Sequence, residues 1–390
     1  MNQGIPQAPE LSEIKDELKV LTRRYATQKI APLIEQDEHN ERFRPEWIAE
    51  LGELGLTGIP VSEAYGGAGL GYSEYIAVIE ELAAVSAGYA ISVAVTGLPQ
   101  VILGLFGTHE QKQKYIPPLA SGQAIGAFAL SEAGSGSDAG SLRTTARREP
   151  GGDYLLNGTK LWITQGDSAE TLIVMARTGG AGPKGISAFI VEKQMKGFRT
   201  GKREKKMGIN SSHTMELVFE DVRVPAANLI GSEGDGFKVA MTALDSGRIT
   251  IAATALGVAR SALAEATRHA SSREQFGKPI GEFQGVSFML ADMAVALDAS
   301  RLLVERAARL KDEGKPFSQE AAMAKLFATD SAMQITTDAV QVLGGAGYTQ
   351  EFPVERKMRE AKVLQIVEGT NQIQRMIIGR SLLNLTARHP

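Results

Sequence analysis

Glu368-Gly369-Thr370 interrupts an apolar stretch, with Val363 to Val367 before it and Ile373 to Ile378 after it. A carboxylate with such flanks is partly desolvated. Desolvation raises its pKa and suits it to act as a base near neutral pH. Gly369 allows backbone to approach a ligand closely. The same pattern fits a solvated Glu at a helix end, with Thr370 capping the next helix. Trp162-Ile163-Thr164 ends a strand-like run, and alternation places Trp162 and Thr164 on one face. An indole beside a hydroxyl can receive a planar aromatic cofactor; a half-buried Trp beside a surface Thr reads the same way. Arg273, Phe276 and Gly277 follow a long helical run, and an Arg there can grip phosphate with two bonds. Asp245-Ser246-Gly247-Arg248 sets a charged pair inside an apolar helical stretch, and Gly344-Gly345-Ala346-Gly347 forms a small-residue loop. Each of these alone is a cap, an ion pair or a turn as readily as a site.

Gly134-Ser-Gly-Ser-Asp-Ala139 matches the loose dinucleotide fingerprint after an apolar strand, Ala124 to Leu130. That motif needs a helix behind it, with its N-terminus facing pyrophosphate. Arg143 to Arg148 and then Asn157-Gly158 follow instead, so the Rossmann reading fails on context. What remains is a polar loop with Ser131, Ser135 and Ser137 after a buried strand.

The chain of 390 residues has 42 basic and 45 acidic side chains, so nothing favours electrostatic binding of nucleic acid. Cysteine is absent, which excludes disulfides, thiolate metal centres and cysteine nucleophiles. The five histidines are scattered without ligand spacing, so no metal site is expected. The N-terminus lacks the basic and apolar regions of a secretory signal and the Arg-rich character of a transit peptide. A cytoplasmic protein is the expectation. Leu82 to Thr108 carries no charge, but its Gly, Ser, Thr and Pro content points to buried helices rather than a membrane span. Pro99 is expected to break a helix there.

Three periods organise the elements that must position these residues. Residues 1–124 read as an N-terminal helical domain. Ser12 is an expected N-cap, and Leu18, Leu21 and Tyr25 mark one apolar face. Residues 125–235 read as a middle antiparallel, barrel-like β domain. Asn157-Gly158 predicts a hairpin turn between Tyr154–Leu156 and Thr159–Trp162. Further strands are expected at 171–176, 186–191 and 215–224. Residues 236–390 return to helix, with Ile249, Leu256, Leu263 and Ala270 at sevens. Leu290, Met293, Leu297 and Val304 mark a second helix, and Leu326, Met333 and Val340 a third. Gly314 and Pro316 end the second, and Ser318 is expected to cap the third. The result is an α+β multidomain chain closing in a helical bundle.

Five segments in this order carry a resemblance: Phe128 to Asp138, Trp162 to Thr164, Arg273 to Gly277, Gln341 to Gly345 and Val367 to Gln374. The chain resembles the acyl-CoA dehydrogenase family, in particular its short-chain and short-branched-chain members, from about residue 11 to 385. The resemblance implies a C-terminal four-helix bundle, a homotetramer and FAD between the middle and C-terminal domains. It implies α,β-dehydrogenation of an acyl-CoA to the trans-2-enoyl-CoA, with electrons passed to an electron-transfer flavoprotein. Fatty acid β-oxidation and branched-chain amino acid catabolism are the pathways it implies.

By that resemblance Glu368 matches the base that removes the α-proton, while the β-hydrogen leaves as hydride to the flavin. The Glu368 N–H matches a donor to the thioester oxygen. Phe128, Leu130 and Ser131 match the strand beside the flavin, and Trp162, Ile163 and Thr164 the segment packing on it. Arg273, Phe276 and Gln284 match FAD contacts. Gln341, Gly344 and Gly345 match a loop that reaches a neighbouring subunit's cofactor. Thr370, Asn371 and Gln372 match the segment by the FAD phosphates. Ser137, Asp245, Ser246, Gly247, Arg248 and Gly369 match substrate contacts.

Four positions depart from the family pattern. Val367 stands where many members have Tyr, Ala133 where Pro is frequent and Asn210 where Arg is frequent. Gly247 offers no alternative carboxylate. An oxidase on the same scaffold and a catalytically silent acyl-CoA-binding homologue are the competing readings.

Overall fold

The computed structural model describes residues 8–383. Six helices come first: α1 (Ala8–Tyr25), α2 (Ile34–His39), α3 (Pro45–Glu53), α4 (Tyr72–Val85), α5 (Ala87–Phe106) and α6 (His109–Ala120). Ser12 lies inside α1 rather than at its cap, because the helix already begins at Ala8. Tyr25 is buried, with Leu18 and Leu21 packed on the same core.

The charge-free stretch forms α4 and α5 as interior helices. Ser86 caps α5 by accepting the Tyr89 N–H at 3.3 Å. Pro99 does not break α5, which runs unbroken from Ala87 to Phe106. Proline removes one intrahelical bond, but burial of nearly the whole helix outweighs that loss. Side chains from neighbours also serve its backbone: Tyr75 Oη donates to Val93 O at 3.2 Å and Gln165 Nε2 to Ser92 O at 3.2 Å.

The middle region is one eight-stranded sheet: β1 (Gly126–Ala129), β2 (Thr145–Arg148), β3 (Tyr154–Thr164), β4 (Thr171–Arg177), β5 (Ile186–Glu192), β6 (Phe198–Arg203), β7 (Thr214–Val224) and β8 (Leu229–Ile230). Its order is β6-β7-β3-β2-β4-β5-β8, with β1 beside β4. The expected antiparallel pairing holds except at two places: β1 and β2 each run parallel to β4.

Asn157-Gly158 is not a turn. It sits inside the continuous strand β3, at a bulge against β7. Asn157 Nδ2 donates to Asp221 Oδ1 at 2.9 Å, so its side chain serves the neighbouring strand. A Cβ on Gly158 would lie 2.7 Å from Thr144 Cα, so close strand approach explains this glycine. The hairpin lies one step earlier, where Glu149 N–H donates to Asp153 O at 2.7 Å between β2 and β3. Local turn chemistry was right about a hairpin and wrong about where the chain reverses.

A second bulge between Lys160 and Ile163 turns the end of β3. Trp162 takes φ +59 there and stays 53% exposed, while Ile163 points into the core. Beneath it Lys160 is fully buried and donates to Leu130 O at 3.0 Å and Glu132 Oε1 at 2.8 Å. Glu132 also accepts the N–H groups of Arg143 and Thr144. Removing one partner of such a pair leaves an uncompensated buried charge. Lys160→Met is expected to lower stability by about 3–5 kcal/mol in urea denaturation. A loss below ~1 kcal/mol would show that the pair does not hold this sheet end.

Five helices follow: α7 (Gly236–Ser272), α8 (Gln284–Asp312), α9 (Ser318–Leu343), α10 (Val354–Leu364) and α11 (Asn371–Leu382). A small ribbon, β9 (Glu274–Gln275) and β10 (Lys278–Pro279), joins α7 to α8. The sevens pattern of α7 is buried at Ile249, Leu256 and Ala270, with Leu263 partly so. Gly314 takes φ +65 just past α8, as expected of its terminus. Ser318 does not cap α9; it lies in the first turn and donates to Asp245 Oδ1 at 2.9 Å. The fully buried face of α9 is small, carrying Ala321, Ala324, Ala328, Ala332 and Ala339, rather than the Leu326–Met333–Val340 stripe. Alanines let α9 approach α7 closely. Glu80 and Glu81 of α4 pair with Arg260 of α7 and Arg301 of α8, which ties the first helices to the last.

Candidate active site

The chain between α10 and α11 makes a tight left-handed turn. Glu368 has φ +54 and Gly369 φ +87. A left-handed glutamate is strained by roughly 1 kcal/mol or more, so its surroundings must hold it. Three side chains do so through carbonyls. Gln374 Nε2 donates to Glu368 O at 3.2 Å and to Gly369 O at 2.7 Å. Lys325 Nζ donates to Gly369 O at 3.0 Å, and Arg248 Nε to Glu368 O at 3.4 Å. Thr370 caps α11 by accepting the Ile373 N–H, as expected.

This turn aims the Glu368 carboxylate into the protein. Its Oε2 is buried and has no hydrogen-bond partner among the described residues. Burial pushes the carboxyl up to about 7, against the opposing pull of the Arg248 and Lys325 charges. Gly247 of α7 lies directly opposite. A Cβ there would sit 2.8 Å from Glu368 Oε2 and 3.0 Å from Cδ. The missing side chain at Gly247 is therefore the room that the carboxylate occupies.

Glu368 faces a cavity of about 1880 Å³ walled by all three regions of the chain. Ile91, Val95 and Leu98 come from α5, and Phe237, Met241 and Leu244 from α7. Phe128, Trp162 and Thr164 come from the sheet, and Ile373, Met376 and Arg380 from α11. Arg143, Lys205 and Lys206 add positive charge from the loops of the sheet. The space is large, mostly apolar and edged with cations. Such a site suits an extended ligand with apolar and anionic parts.

Eleven expected residues line this cavity: Phe128, Leu130, Ser131, Ser137, Trp162, Ile163, Thr164, Arg248, Glu368, Gly369 and Thr370. Asp245, Ser246 and Gly247 lie just behind its wall. Asp245 pairs with Arg248, and Ser246 Oγ accepts from Lys311 Nζ at 2.8 Å. Asn371 points the other way, donating to Thr329 Oγ1 at 2.9 Å and accepting from Lys325 Nζ at 2.8 Å. Gln372, Arg273, Phe276, Gln284, Gln341, Gly344 and Gly345 do not reach the cavity within one chain. Phe276 stands at the tip of the β9–β10 ribbon, 94% exposed.

Sequence reasoning missed the α5 wall, the cations Lys205 and Lys206, and the two clamps Lys325 and Gln374. Lys325 did leave a signal. Ala322, Lys325, Thr329, Ala332 and Thr336 recur at helical spacing, which places one charge on a face of small residues.

Three family models together match most of the chain: the acyl-CoA dehydrogenase N-terminal domain at residues 12–123, its middle domain at 127–222 and its C-terminal domain at 234–383. The chain belongs to the acyl-CoA dehydrogenase family. An acyl-CoA dehydrogenase of Bacillus subtilis is 50% identical over 371 residues, covering 95% of this chain and 98% of that protein. A short-chain specific acyl-CoA dehydrogenase of Megasphaera elsdenii is 47% identical, covering 96% and 99%. The solved butyryl-CoA dehydrogenase of Megasphaera elsdenii superposes with TM-score 0.94 at 46% identity, covering 98% of this chain and 100% of that one. A chain solved in work on the electron transferring flavoprotein of Acidaminococcus fermentans also gives TM-score 0.94, at 47% identity and with the same coverage. The enzyme is an acyl-CoA dehydrogenase, in a family of flavoproteins. Its helical, β and helical regions are the fold of that family.

Proposed function

We propose that this acyl-CoA dehydrogenase oxidises short acyl-CoA thioesters of the butyryl-CoA type to trans-2-enoyl-CoA, with Glu368 as the base. The observation that carries this reading is the unpartnered Glu368 Oε2, held near neutral pKa in a cavity beside an exposed Trp162. A half-exposed indole on a cavity wall fits a flat ring system. Trp162 and Thr164 would hold FAD there, and the flavin would supply the two-electron acceptor for the β-hydrogen.

The residues of the chain do the rest. Glu368 Oε2 takes the α-proton, and no protein donor competes for that oxygen. The Glu368 N–H has no backbone acceptor among the described residues, so it is free to donate to the thioester oxygen. That bond stabilises enolate charge as it develops. The apolar α5 wall excludes water from the acyl chain, and Leu98 lies beside the Gly247 gap. Arg143, Lys205 and Lys206 suit the phosphates of the CoA end.

The residues away from the cavity support assembly. Arg273, Phe276, Gln284, Gln341, Gly344 and Gly345 would contribute to the cofactor of a neighbouring subunit in a homotetramer. Phe276, Tyr348, Phe288, Val295 and Leu302 are large apolar side chains left exposed on one chain, which supports burial between subunits. Electrons would pass to an electron-transfer flavoprotein, in keeping with the Acidaminococcus fermentans neighbour.

Anaerobic titration of the purified holoenzyme with butyryl-CoA tests the reading. The visible flavin bands are expected to bleach. A flavin spectrum that persists would remove short acyl-CoA as substrate, and a colourless protein after added FAD would remove the cofactor.

A further inference from the structure

Among the described residues three lysines are almost wholly buried: Lys160, Lys325 and Lys357. Two have carboxylate partners, Glu132 at 2.8 Å from Lys160 and Glu360 at 3.5 Å from Lys357. Among the described residues Lys325 binds only a carbonyl and an amide oxygen, Gly369 O at 3.0 Å and Asn371 Oδ1 at 2.8 Å. Enclosing an ammonium without a counter-ion is unfavourable. Gln374 already binds the Gly369 carbonyl, so hydrogen bonding alone does not call for a cation there.

We infer that Lys325 is a positioning residue for the reaction: it fixes the Glu368–Gly369 turn through the Gly369 carbonyl and sets an unneutralised positive charge behind the base. The inference rests on Glu368 being that base. Burial pushes the Lys325 pKa down to about 7, against the attraction of Glu368, which favours the charged form. The two groups therefore titrate in the same range and as a pair. With Lys325 protonated, ionised Glu368 is favoured, and the base is available at lower pH.

Other charges face this pair from every side. Arg248 and Asp245 come from α7, Asp330 from α9 itself, and Arg375, paired with Asp330, from α11. Arg380 and Lys206 stand on the cavity wall. Burial holds the Lys206 ammonium below its usual range, and its Nζ donates to Ser212 O at 2.9 Å.

The test is the pH profile of flavin reduction by butyryl-CoA in single turnover, run on the holoenzyme. Lys325→Met is expected to move the acid limb upward by more than ~0.5 pH unit, lowering the rate at pH 6.5 about threefold or more. Lys325→Arg restores the charge and should return the limb toward its original position. Thr329→Val is the packing control. It removes the hydroxyl that accepts from Asn371 Nδ2 at 2.9 Å in the same cluster but alters no charge. Its acid limb should stay in place.

Infrared titration gives a second readout. The carboxyl band that disappears in Glu368→Gln should titrate at higher pH in Lys325→Met. If that variant gives no holoenzyme, Lys325→Gln makes the same charge test with a donor retained. An unmoved limb and band in the uncharged variant would overturn the inference and leave the base intact. Flavin reduction that survives Glu368→Gln would instead overturn the base.

Discussion

Glu368→Gln is expected to lower the rate of flavin reduction by butyryl-CoA by roughly 10²–10⁴-fold, the range for loss of a general base. Gln has nearly the shape of Glu and keeps the backbone N–H, so substrate binding and FAD content should stay close to those of the parent. In the parent enzyme the rate should rise with pH through about 7, because only the ionised carboxylate accepts the proton. The stability effect runs the other way. A carboxyl raised in the folded state contributes stability that is fully present below its unfolded pKa. That contribution is lost as pH rises through about 7. Above pH 8 the parent carries a buried ionised Glu368 that the Gln variant lacks. The variant should therefore unfold at no lower temperature there, which separates loss of the base from loss of the fold. Turnover at the parent rate would end the assignment.

Gly247→Ala tests the same geometry from the opposite wall. The new methyl would lie 2.8 Å from Glu368 Oε2, too close for both to stay. The nearest atom of any other residue, Leu98 Cδ2, is 3.4 Å away, so the carboxylate is what moves. A base displaced by about 1 Å costs on the order of a hundredfold in rate. The helix itself should gain, since Ala is favoured over Gly within α7 by about 1 kcal/mol. The expected result is thus an enzyme as stable as the parent or more so, with flavin reduction slowed about a hundredfold. Parent activity in a folded Gly247→Ala protein would show that Glu368 does not work in the position seen.

Much of the molecule was legible along the chain because its signals are local. Helical periodicity marked α7, α8 and α9, and β-branched runs marked β4, β5 and β7 within about a residue. Apolar flanks around Glu368 announced a desolvated carboxylate, and burial does raise its pKa. The departures arose where packing overrode local preference. Pro99 stays inside α5 because the surrounding domain encloses that helix. Asn157-Gly158 stays inside β3 because Thr144 and Asp221 approach it from neighbouring strands. Ser12 and Ser318 are not caps, since α1 is already formed at Ala8 and Ser318 is itself the first residue of α9, after Phe317.

The residue types at positions 128–137, 162–164 and 367–374, with their order, were enough by themselves to indicate the family and to single out the carboxylate proposed as the base. Only the folded chain decided which of those residues share a cavity. Gly247 and Glu368 are 121 positions apart in sequence, yet one leaves room for the other. Lys325 meets Gly369 across the contact of α9 with the last turn. Such pairings depend on how helices from distant parts of the chain stack, and no local period records them. Arg273, Phe276 and Gln341 kept their motif but stand away from the cavity of their own chain, because a motif specifies chemistry and the tertiary structure specifies where that chemistry is delivered.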